Sequence, residues 1–482
     1  MAYNENFATL VRQGVLIRVA RAMFDGTLVE TVDRLPFEMR PRRAQSLTCC
    51  TYHDRAVLRY RVLAALGFAA GETDDDATPL ADYARRALAR ERPEGPTLSV
   101  IDAACSACVQ SRYEITSTCR GCMARPCLAN CPKHAISMVG RQARIDAEQC
   151  VSCGRCQQVC PFHAIVRIPI PCEEACPVDA INKDASGREI IDPDQCIACG
   201  KCAMACPFGA VAEKSQLVDV LRHLRAGTPV VALPAPAVYG QFPGGFARLA
   251  AALRRLGFAR VAEVAEGADL TALAETQEFA ERVAQGAALM TTSCCPAYVS
   301  AVERHVPALR PCVSHTPSPM RLLAQAVKRD TPAALTVFIG PCTAKRQEAL
   351  THPECDYVLT FEELDAIFVA SDIAVELEPA ADETAAASGA ARGFAASGGV
   401  TAAVKAIAPA GLDFRPVLID GLSAKNMRLL KAYASKCPGN FLEVMSCEGG
   451  CVAGPRTVVS PQEGATALKA AIAACPRAAS KD

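Results

Sequence analysis

Thr292-Ser293-Cys294-Cys295-Pro296 ends an apolar run that includes Ala287-Ala288-Leu289-Met290, and it puts two adjacent thiols on the turn that follows. Two other stretches are built alike. Gly340-Pro341-Cys342-Thr343-Ala344-Lys345 follows the apolar run Leu335 to Ile339, and Glu443-Val444-Met445-Ser446-Cys447-Glu448-Gly449-Gly450-Cys451 again joins cysteine to Gly and Ser. Thiolates are soft ligands that hold iron–sulfur clusters, so three distant Cys-bearing turns converging on one point imply a buried cluster. The plain alternative for each turn alone is a structural core cysteine.

Outward from these turns, the composition sets limits. With 482 residues the chain has room for two to four domains and a large core. Lys+Arg and Asp+Glu both number 51, so nothing argues for a nucleic-acid or anionic-membrane partner. The segment Met1-Ala2-Tyr3-Asn4-Glu5-Asn6 lacks a basic stretch followed by an apolar one, and no apolar run reaches ~18 residues, which predicts a soluble cytoplasmic protein. The 27 cysteines, many in CxxC pairs, favour metal ligation in a reducing compartment over disulfides. Zinc sites usually present two separated pairs, whereas here triplets are closed by Cys-Pro, the bacterial ferredoxin run.

That run recurs along a ladder from Cys105 to Cys206. Cys119, Cys122, Cys127 and Cys131-Pro132 are followed by Cys150, Cys153, Cys156 and Cys160-Pro161. The fourth Cys of each run ligates the other cluster in a two-cluster ferredoxin. One 4Fe-4S cluster then takes Cys119, Cys122, Cys127 and Cys160, and a second takes Cys131, Cys150, Cys153 and Cys156. Cys176-Pro177 and Cys196, Cys199, Cys202, Cys206-Pro207 repeat the pattern, as a second ferredoxin unit whose first half reads as degenerate. A third cluster takes Cys176, Cys196, Cys199 and Cys202. Cys172 and Cys206 remain, and with the unassigned Cys105-x2-Cys108 they would hold a fourth; otherwise Cys105 and Cys108 are structural. Clusters in a row conduct electrons between a buried centre and a surface partner. His134 and His163, just behind Cys-Pro motifs, read as packing or surface residues.

The flanks carry less chemistry. In residues 1–100 the spacing predicts an amphipathic helix from Asp54 to Leu66 ending near Gly67, preceded by a Cys49-Cys50 pair read as structural, and a linker or surface loop from Gly71 to Pro79. After Gly209 the pattern turns to α/β: a helix from Lys214 to Arg225, a strand from Pro229 to Leu233, helices over Gly244 to Leu256 and Asp269 to Val283, and strands over Ala287 to Met290 and Leu335 to Ile339. Residues 381–392 are Ala-rich and read as a flexible or helical surface segment.

Together the three cysteine turns resemble, in order and detail, the signatures of the iron-iron (FeFe) hydrogenase catalytic domain, usually written TSCCP, PCxxK and ExMxCxxGC, over roughly residues 215–460. The resemblance implies an H-cluster, a 4Fe-4S subcluster plus a diiron unit with carbonyl, cyanide and a bridging dithiolate amine. Its metal ligands would be Cys295, Cys342, Cys447 and Cys451, with Cys451 bridging the two parts. Cys294 would pass protons to the bridging amine, and Lys345 would bind a cyanide through a charge-assisted hydrogen bond. Glu275, Glu278 and Arg282, three and four apart on one helix face, together with Ser314, align with the family's proton relay. Pro236, Ala237, Ser318, Phe394 and Met445 fall at pocket positions. Gly340, Tyr298, Met320 and Gly454-Pro455 stand where the best-known members have Met, Trp, Gln and a glycine triplet, departures that resemble the monomeric group B branch. Cys312, Cys355, Cys437 and Cys475 belong to no motif and read as structural.

These readings combine into α+β and α/β architecture: N-terminal ferredoxin-like iron–sulfur domains followed by an FeFe-hydrogenase catalytic α/β domain. The expected division is 1–100, a partly helical region; 101–170, a two-cluster ferredoxin-like domain; 171–213, a second, degenerate unit; and 214–482, the catalytic domain. The implied activity is reversible interconversion of H2 with protons and electrons, the electrons passing through 4Fe-4S clusters to a ferredoxin-type or other redox protein. Diiron-site maturases are implied partners; nucleic acid and membrane are not. The competing readings are a non-catalytic iron–sulfur assembly factor of the Nar1-like group or an electron carrier, which needs neither Cys294 nor Lys345, and a hydrogen sensor, which would carry a signalling module.

Overall fold

The computed structural model describes residues 7–70, 76–105, 113–381 and 387–475. Its N-terminal part is helical, with the longer helices at Phe7–Asp25, Thr51–Ala65 and Leu80–Ala89. The second is the helix expected from Asp54; it starts at Thr51 and stops where Gly67 takes a φ of +85°, a conformation that ends helices. Val15, Val19, Val62 and Leu66 enter one buried core with Leu217 and Leu221 of the helix Leu217–Arg225, with Val337 and Leu359 of the catalytic-type sheet, and with Phe361 of the helix that follows it, Phe361–Ala370. Ion pairs Arg12–Glu362 and Arg90–Asp219 join the same parts, so the N-terminal helices are built into the α/β core.

The two ferredoxin units are nested. In the first, Tyr113–Ile115 pairs antiparallel with Ile165–Arg167, and Ile136–Val139 with Gln142–Ile145. In the second, Ile181–Lys183 pairs with Glu189–Ile191, but the outer pair is Leu98–Val100 with Val211–Glu213. The second unit therefore begins before the first and is interrupted by it. The half that reads as degenerate in sequence is not degraded: its leading strand, and Cys105 behind it, lie upstream of the inserted unit. Equivalent spacing runs through both units, since a strand begins five residues after each of Cys131, Cys160, Cys176 and Cys206.

The catalytic-type region carries two parallel sheets. One has the order Arg260–Val261, Val230–Pro234, Leu335–Gly340, Tyr357–Thr360; the other has the order Met290–Thr291, Phe441–Met445, Pro416–Asp420. Strand and helix positions follow the hydrophobic pattern with three adjustments. The strand expected from Ala287 starts only at Met290, because its partner begins at Phe441, directly opposite. The helix expected from Asp269 spans Val264–Ala284, its first turns packed so closely on the helix Pro319–Asp330 that a Cβ on Gly267 would lie 2.2 Å from the Pro319 carbonyl oxygen. The Ala-rich segment is no surface element where it is described: Ala387 and Ala391 are buried, and Arg392 pairs with the buried Glu263.

Candidate functional site

Open parallel sheets place ligands beyond the carboxyl ends of their strands. Here four such ends, after Pro234, Thr291, Gly340 and Met445, face one cavity. Its wall brings together Cys294, Cys295, Cys342, Cys447 and Cys451 with Lys345, Pro236, Ala237, Phe394 and Met445, so the three sequence signatures do meet at one place. Ser318 is buried nearby, between the wall residues and the helix Pro319–Asp330. The remaining lining is largely apolar, including Val264, Ala268, Met320 and Phe338.

Burial makes these thiols reluctant to ionise. It pushes Cys451 up to about 11, and raises Cys342, Cys447 and Cys294 further, neighbouring cysteines adding to the effect. Metal coordination overcomes this cost, since a coordinating thiol loses its proton outright. Among the described residues no three Cys, His, Asp or Glu side chains converge closely enough for a single ion. Thiols spread around a cavity fit a multinuclear cluster better than a mononuclear zinc, whose ligands sit within ~2.3 Å of one centre. The hydroxyls of Ser446, on the wall, and Ser318 are buried without a hydrogen-bond partner, as polar atoms facing a polar guest would be.

Lys345 starts one wall on the helix Thr343–Thr351. Its Nζ donates to the Cys294 carbonyl (3.3 Å) and to Glu348 Oε2 (2.7 Å). Burial disfavours the ammonium, but the Glu348 carboxylate prevails and holds its pKa above the usual lysine value. Glu348 was missed in sequence although the i,i+3 spacing was visible. Gly340 is explained by Phe338: a Cβ there would lie 2.5 Å from the Phe338 ring and 3.2 Å from Ala235 Cβ. Gly340→Ala is expected to cost about 1–2 kcal/mol through overpacking, read as a lower urea midpoint at unchanged slope. Tyr298, where tryptophan was the comparison, is fully buried and donates its hydroxyl to Thr291 Oγ1 (2.8 Å).

A polar track leads from Cys294 towards solvent. Glu275 is completely buried on the helix Val264–Ala284; its Oε1 accepts from the Ser293 N–H (3.2 Å) and its Oε2 has no partner. Burial pushes this carboxyl up to about 8, the nearby charges of Glu278 and Glu443 adding to the shift. The Ser293 hydroxyl spans Glu275 (3.4 Å) and the Thr316 carbonyl (2.5 Å). One turn along, Glu278 accepts from Ser314 Oγ (2.7 Å), Thr316 Oγ1 (3.2 Å), the His315 N–H and Arg282 (2.6 Å). Burial opposes the charge on Glu278, but these donors together hold its carboxyl below the usual range. His315, 84% exposed in its side chain, and Arg282 mark the outer end. Ser293 and Thr316, absent from the sequence assignment, supply the bridging hydroxyls.

Glu275 gives a pH-dependent expectation with a fixed sign. Its folded pKa lies above its unfolded one, so its favourable contribution to stability is fully present below about pH 4.5 and is lost as the pH rises towards 8. Glu275→Gln, which fixes the neutral form, is expected to melt progressively higher than the parent between pH 5 and 8, the gap then staying constant. Thermal melts across that range check it.

The ladder cysteines are arranged as two related groups. Cys119, Cys127, Cys131, Cys156 and Cys160 surround one small core, and Cys105, Cys172, Cys176, Cys196, Cys202 and Cys206 surround another; Cys108 lies outside the described residues. The thiols of Cys131, Cys176 and Cys206 each accept from the N–H four residues on. The residue three after each Cys-Pro cysteine is left-handed: His134, His163, Asp179 and Gly209. The two histidines are thus exposed turn residues. Cys199, from the second group, lines the main cavity, and the Thr343 hydroxyl donates to the Ala198 carbonyl (2.6 Å) across the junction. Cys355 and Cys475 donate to backbone carbonyls, whereas Cys49 and Cys50 are exposed and pack no core, contrary to the structural role read for them.

Residues 228–455 match the family described as iron only hydrogenase large subunit, C-terminal domain; residues 118–164 match a 4Fe-4S dicluster domain and residues 189–212 a 4Fe-4S binding domain. The periplasmic [Fe] hydrogenase large subunit of Nitratidesulfovibrio vulgaris is 29% identical over 380 residues, covering 66% of this chain and 86% of that protein. Iron hydrogenase 1 of Clostridium pasteurianum is 29% identical over 394 residues, covering 67% of this chain and 66% of that protein. An apo FeFe-hydrogenase structure from Chlamydomonas reinhardtii is 23% identical, with a TM-score of 0.41, covering 50% of this chain and 84% of that one. No described helix is long and apolar enough to cross a membrane. Residues 228–455 are a domain of the iron-iron hydrogenase family, preceded by ferredoxin-type 4Fe-4S domains.

Proposed function

We propose that this protein is a working hydrogenase, catalysing H2 = 2 H+ + 2 e− in the cytoplasm and exchanging electrons with a ferredoxin-type protein. The observation that carries the reading is that Cys294 and Lys345 share one cavity wall with Cys295, Cys342, Cys447 and Cys451. A scaffold that only holds a 4Fe-4S cluster needs four thiols. It has no use for a fifth thiol backed by a protonatable carboxyl, or for a buried ammonium aimed into the same space.

In this reading Cys295, Cys342, Cys447 and Cys451 would hold the H-cluster. When bound, the diiron unit supplies the redox change and the position for hydrogen. The chain supplies the rest. Lys345, kept cationic by Glu348, orients an anionic ligand. Pro236, Ala237, Ser318, Phe394 and Met445 shape the pocket and exclude water. Cys294 Sγ moves the proton at the cavity, and Glu275, Ser314, Glu278 and Arg282 carry it to or from solvent. With its carboxyl raised to about 8, Glu275 is protonated at neutral pH and ready to donate. Maturases would install the diiron unit, and Gly340, Tyr298, Met320 and Gly454-Pro455 support placement in the group B branch.

The accessory clusters are proposed at the ligand sets read from sequence. The nested topology supports the fourth, since Cys105, Cys172 and Cys206 occupy in the second unit the places of Cys119, Cys127 and Cys160 in the first. Cys108 completes that set and lies outside the described residues.

Anaerobic maturation of the purified protein with a synthetic diiron complex tests the reading. Infrared bands in the carbonyl and cyanide region, with hydrogen evolution from reduced viologen, are expected. Neither, from protein of full iron content, would favour the assembly-factor or electron-carrier reading. Iron analysis of the same sample separates three accessory clusters from four by ~4 Fe per chain.

A further inference from the structure

The helical N-terminal region turns a charged, aromatic face to solvent. From Phe37 to Arg55 the sequence holds four arginines, Arg40, Arg42, Arg43 and Arg55, against two acids, Glu38 and Asp54. Asp54 does not offset them outwardly. It is buried, accepts from the Leu47 and Thr48 N–H groups (2.8 and 3.1 Å) and the Thr48 hydroxyl (2.7 Å), and lies 3.9 Å from Arg40 Nε. Arg42 and Arg43 are exposed, and no ion pair joins them to an acid among the described residues. Between the charges stand Phe37, Leu47 and Tyr52, exposed by 57%, 47% and 66%, with the Arg55 guanidinium 4.8 Å over the Phe37 ring. Arginine and aromatic side chains in one exposed patch are the composition of protein-binding surfaces.

A groove of about 1330 Å³ runs inward from this face. Leu47 and His53 line one wall, and Ala104 and Pro207 lie across it. Ala104 directly precedes Cys105 and Pro207 directly follows Cys206, and both cysteines are buried behind them. The N-terminal helices grip these segments: Arg61 donates to the Phe208 carbonyl (3.1 Å), and His53 Nε2 bonds the Ala103 carbonyl (3.0 Å). Cys206 shares its core with Cys202, and Cys199 of the same run reaches the catalytic cavity.

We propose that this face docks an acidic, low-potential, one-electron carrier protein and passes its electrons to the iron–sulfur group at Cys206, so that they reach the cavity without crossing the first ferredoxin unit. Each docked carrier is oxidised by one electron as the cluster is reduced by one. Two such deliveries, with two protons, make one H2. What consumes the electrons rests on the hydrogenase reading; the docking does not.

The test uses the cluster-loaded, diiron-matured protein, with a dithionite-reduced acidic two-cluster ferredoxin as probe and reduced viologen as the small-molecule control. The double variant R42E/R43E is expected to lose roughly tenfold in the second-order rate with ferredoxin at low salt, to show a flatter salt dependence, and to keep the viologen-driven rate. R120E/R141E, on the exposed side of the first ferredoxin unit, is expected to change neither. Loss confined to R120E/R141E would overturn the proposal, as would a change of oligomeric state on R42E/R43E, which would make a second copy the occupant. Stopped-flow bleaching of the clusters by ferredoxin reads docking even where no hydrogen forms, so failure of the hydrogenase reading stays separate.

Discussion

Cys294→Ala is expected to lower hydrogen evolution by at least about 100-fold while leaving the 4Fe-4S content and the diiron infrared bands in place. Six thiols line the cavity wall; the proposed assignment gives four to the H-cluster and Cys199 to an accessory cluster, which leaves Cys294 without a ligand role. Glu275 is the nearest strong influence on its ionisation after burial itself, which couples the two as neighbours in one proton track. Removing the thiol takes away the group between the cavity and the Glu275 carboxyl; the other wall cysteines are assigned to clusters in this reading, and the Lys345 ammonium is already engaged by Glu348. A 100-fold loss corresponds to ~2.7 kcal/mol in the barrier. Because Glu275 acts in series with Cys294, the double variant Cys294→Ala with Glu275→Gln should be little worse than the single. The assay is viologen-driven evolution on matured protein. Activity within threefold of the parent would remove Cys294 from the mechanism.

What could be read in the sequence was what is written locally. Ligand spacing is a short-range property, so the Cys-x2-Cys-x2-Cys runs and the three cysteine turns were legible, and Glu275 and Glu278 could be placed on one helix face from their spacing alone. Pairings between distant segments were not. Nothing near Leu98 announces that it will bond Val211–Glu213, so the second ferredoxin unit looked half lost when it is in fact interrupted. The position of Cys199 on the cavity wall follows from how that unit seats against the helix starting at Thr343, a tertiary fact with no local mark. Phe338 filling the space over Gly340 likewise depends on ring direction. Glu348 is a different case: its i,i+3 spacing from Lys345 is local, but the same spacing on an exposed helix face is a common surface pair, and only the burial of this pair makes it part of the site.

Arg346→Met should be the most damaging change outside the cavity, costing about 3–5 kcal/mol. Arg346 directly follows Lys345 on the helix Thr343–Thr351 and is among the largest fully buried side chains of the protein. It pairs with Glu213 and Glu363 and also donates to the Lys214 (2.7 Å) and Val358 (3.1 Å) carbonyls. Glu213 is shared with Arg456, and Arg456 and Arg12 both reach Glu362, so three arginines and three glutamates balance in one largely buried cluster. Burial works against the Glu213 charge, and Arg346 and Arg456 outweigh it. The members come from the last strand of the second ferredoxin unit, the cavity helix, the loop after Cys451, the helix Phe361–Ala370 and the N-terminal helix, so the network ties the cavity helix to the N-terminal and second ferredoxin parts. A methionine fills much of the volume but leaves two carboxylates short of a partner, which costs more than the intact network ever gained. The apparent melting temperature of the cluster-loaded protein should fall by about 3–5 °C. Arg346→Met combined with Glu363→Gln should recover part of that loss, since one stranded charge is then removed. A single variant melting within a degree of the parent would mean that water or neighbouring donors satisfy these carboxylates, and that the network does not hold the site together.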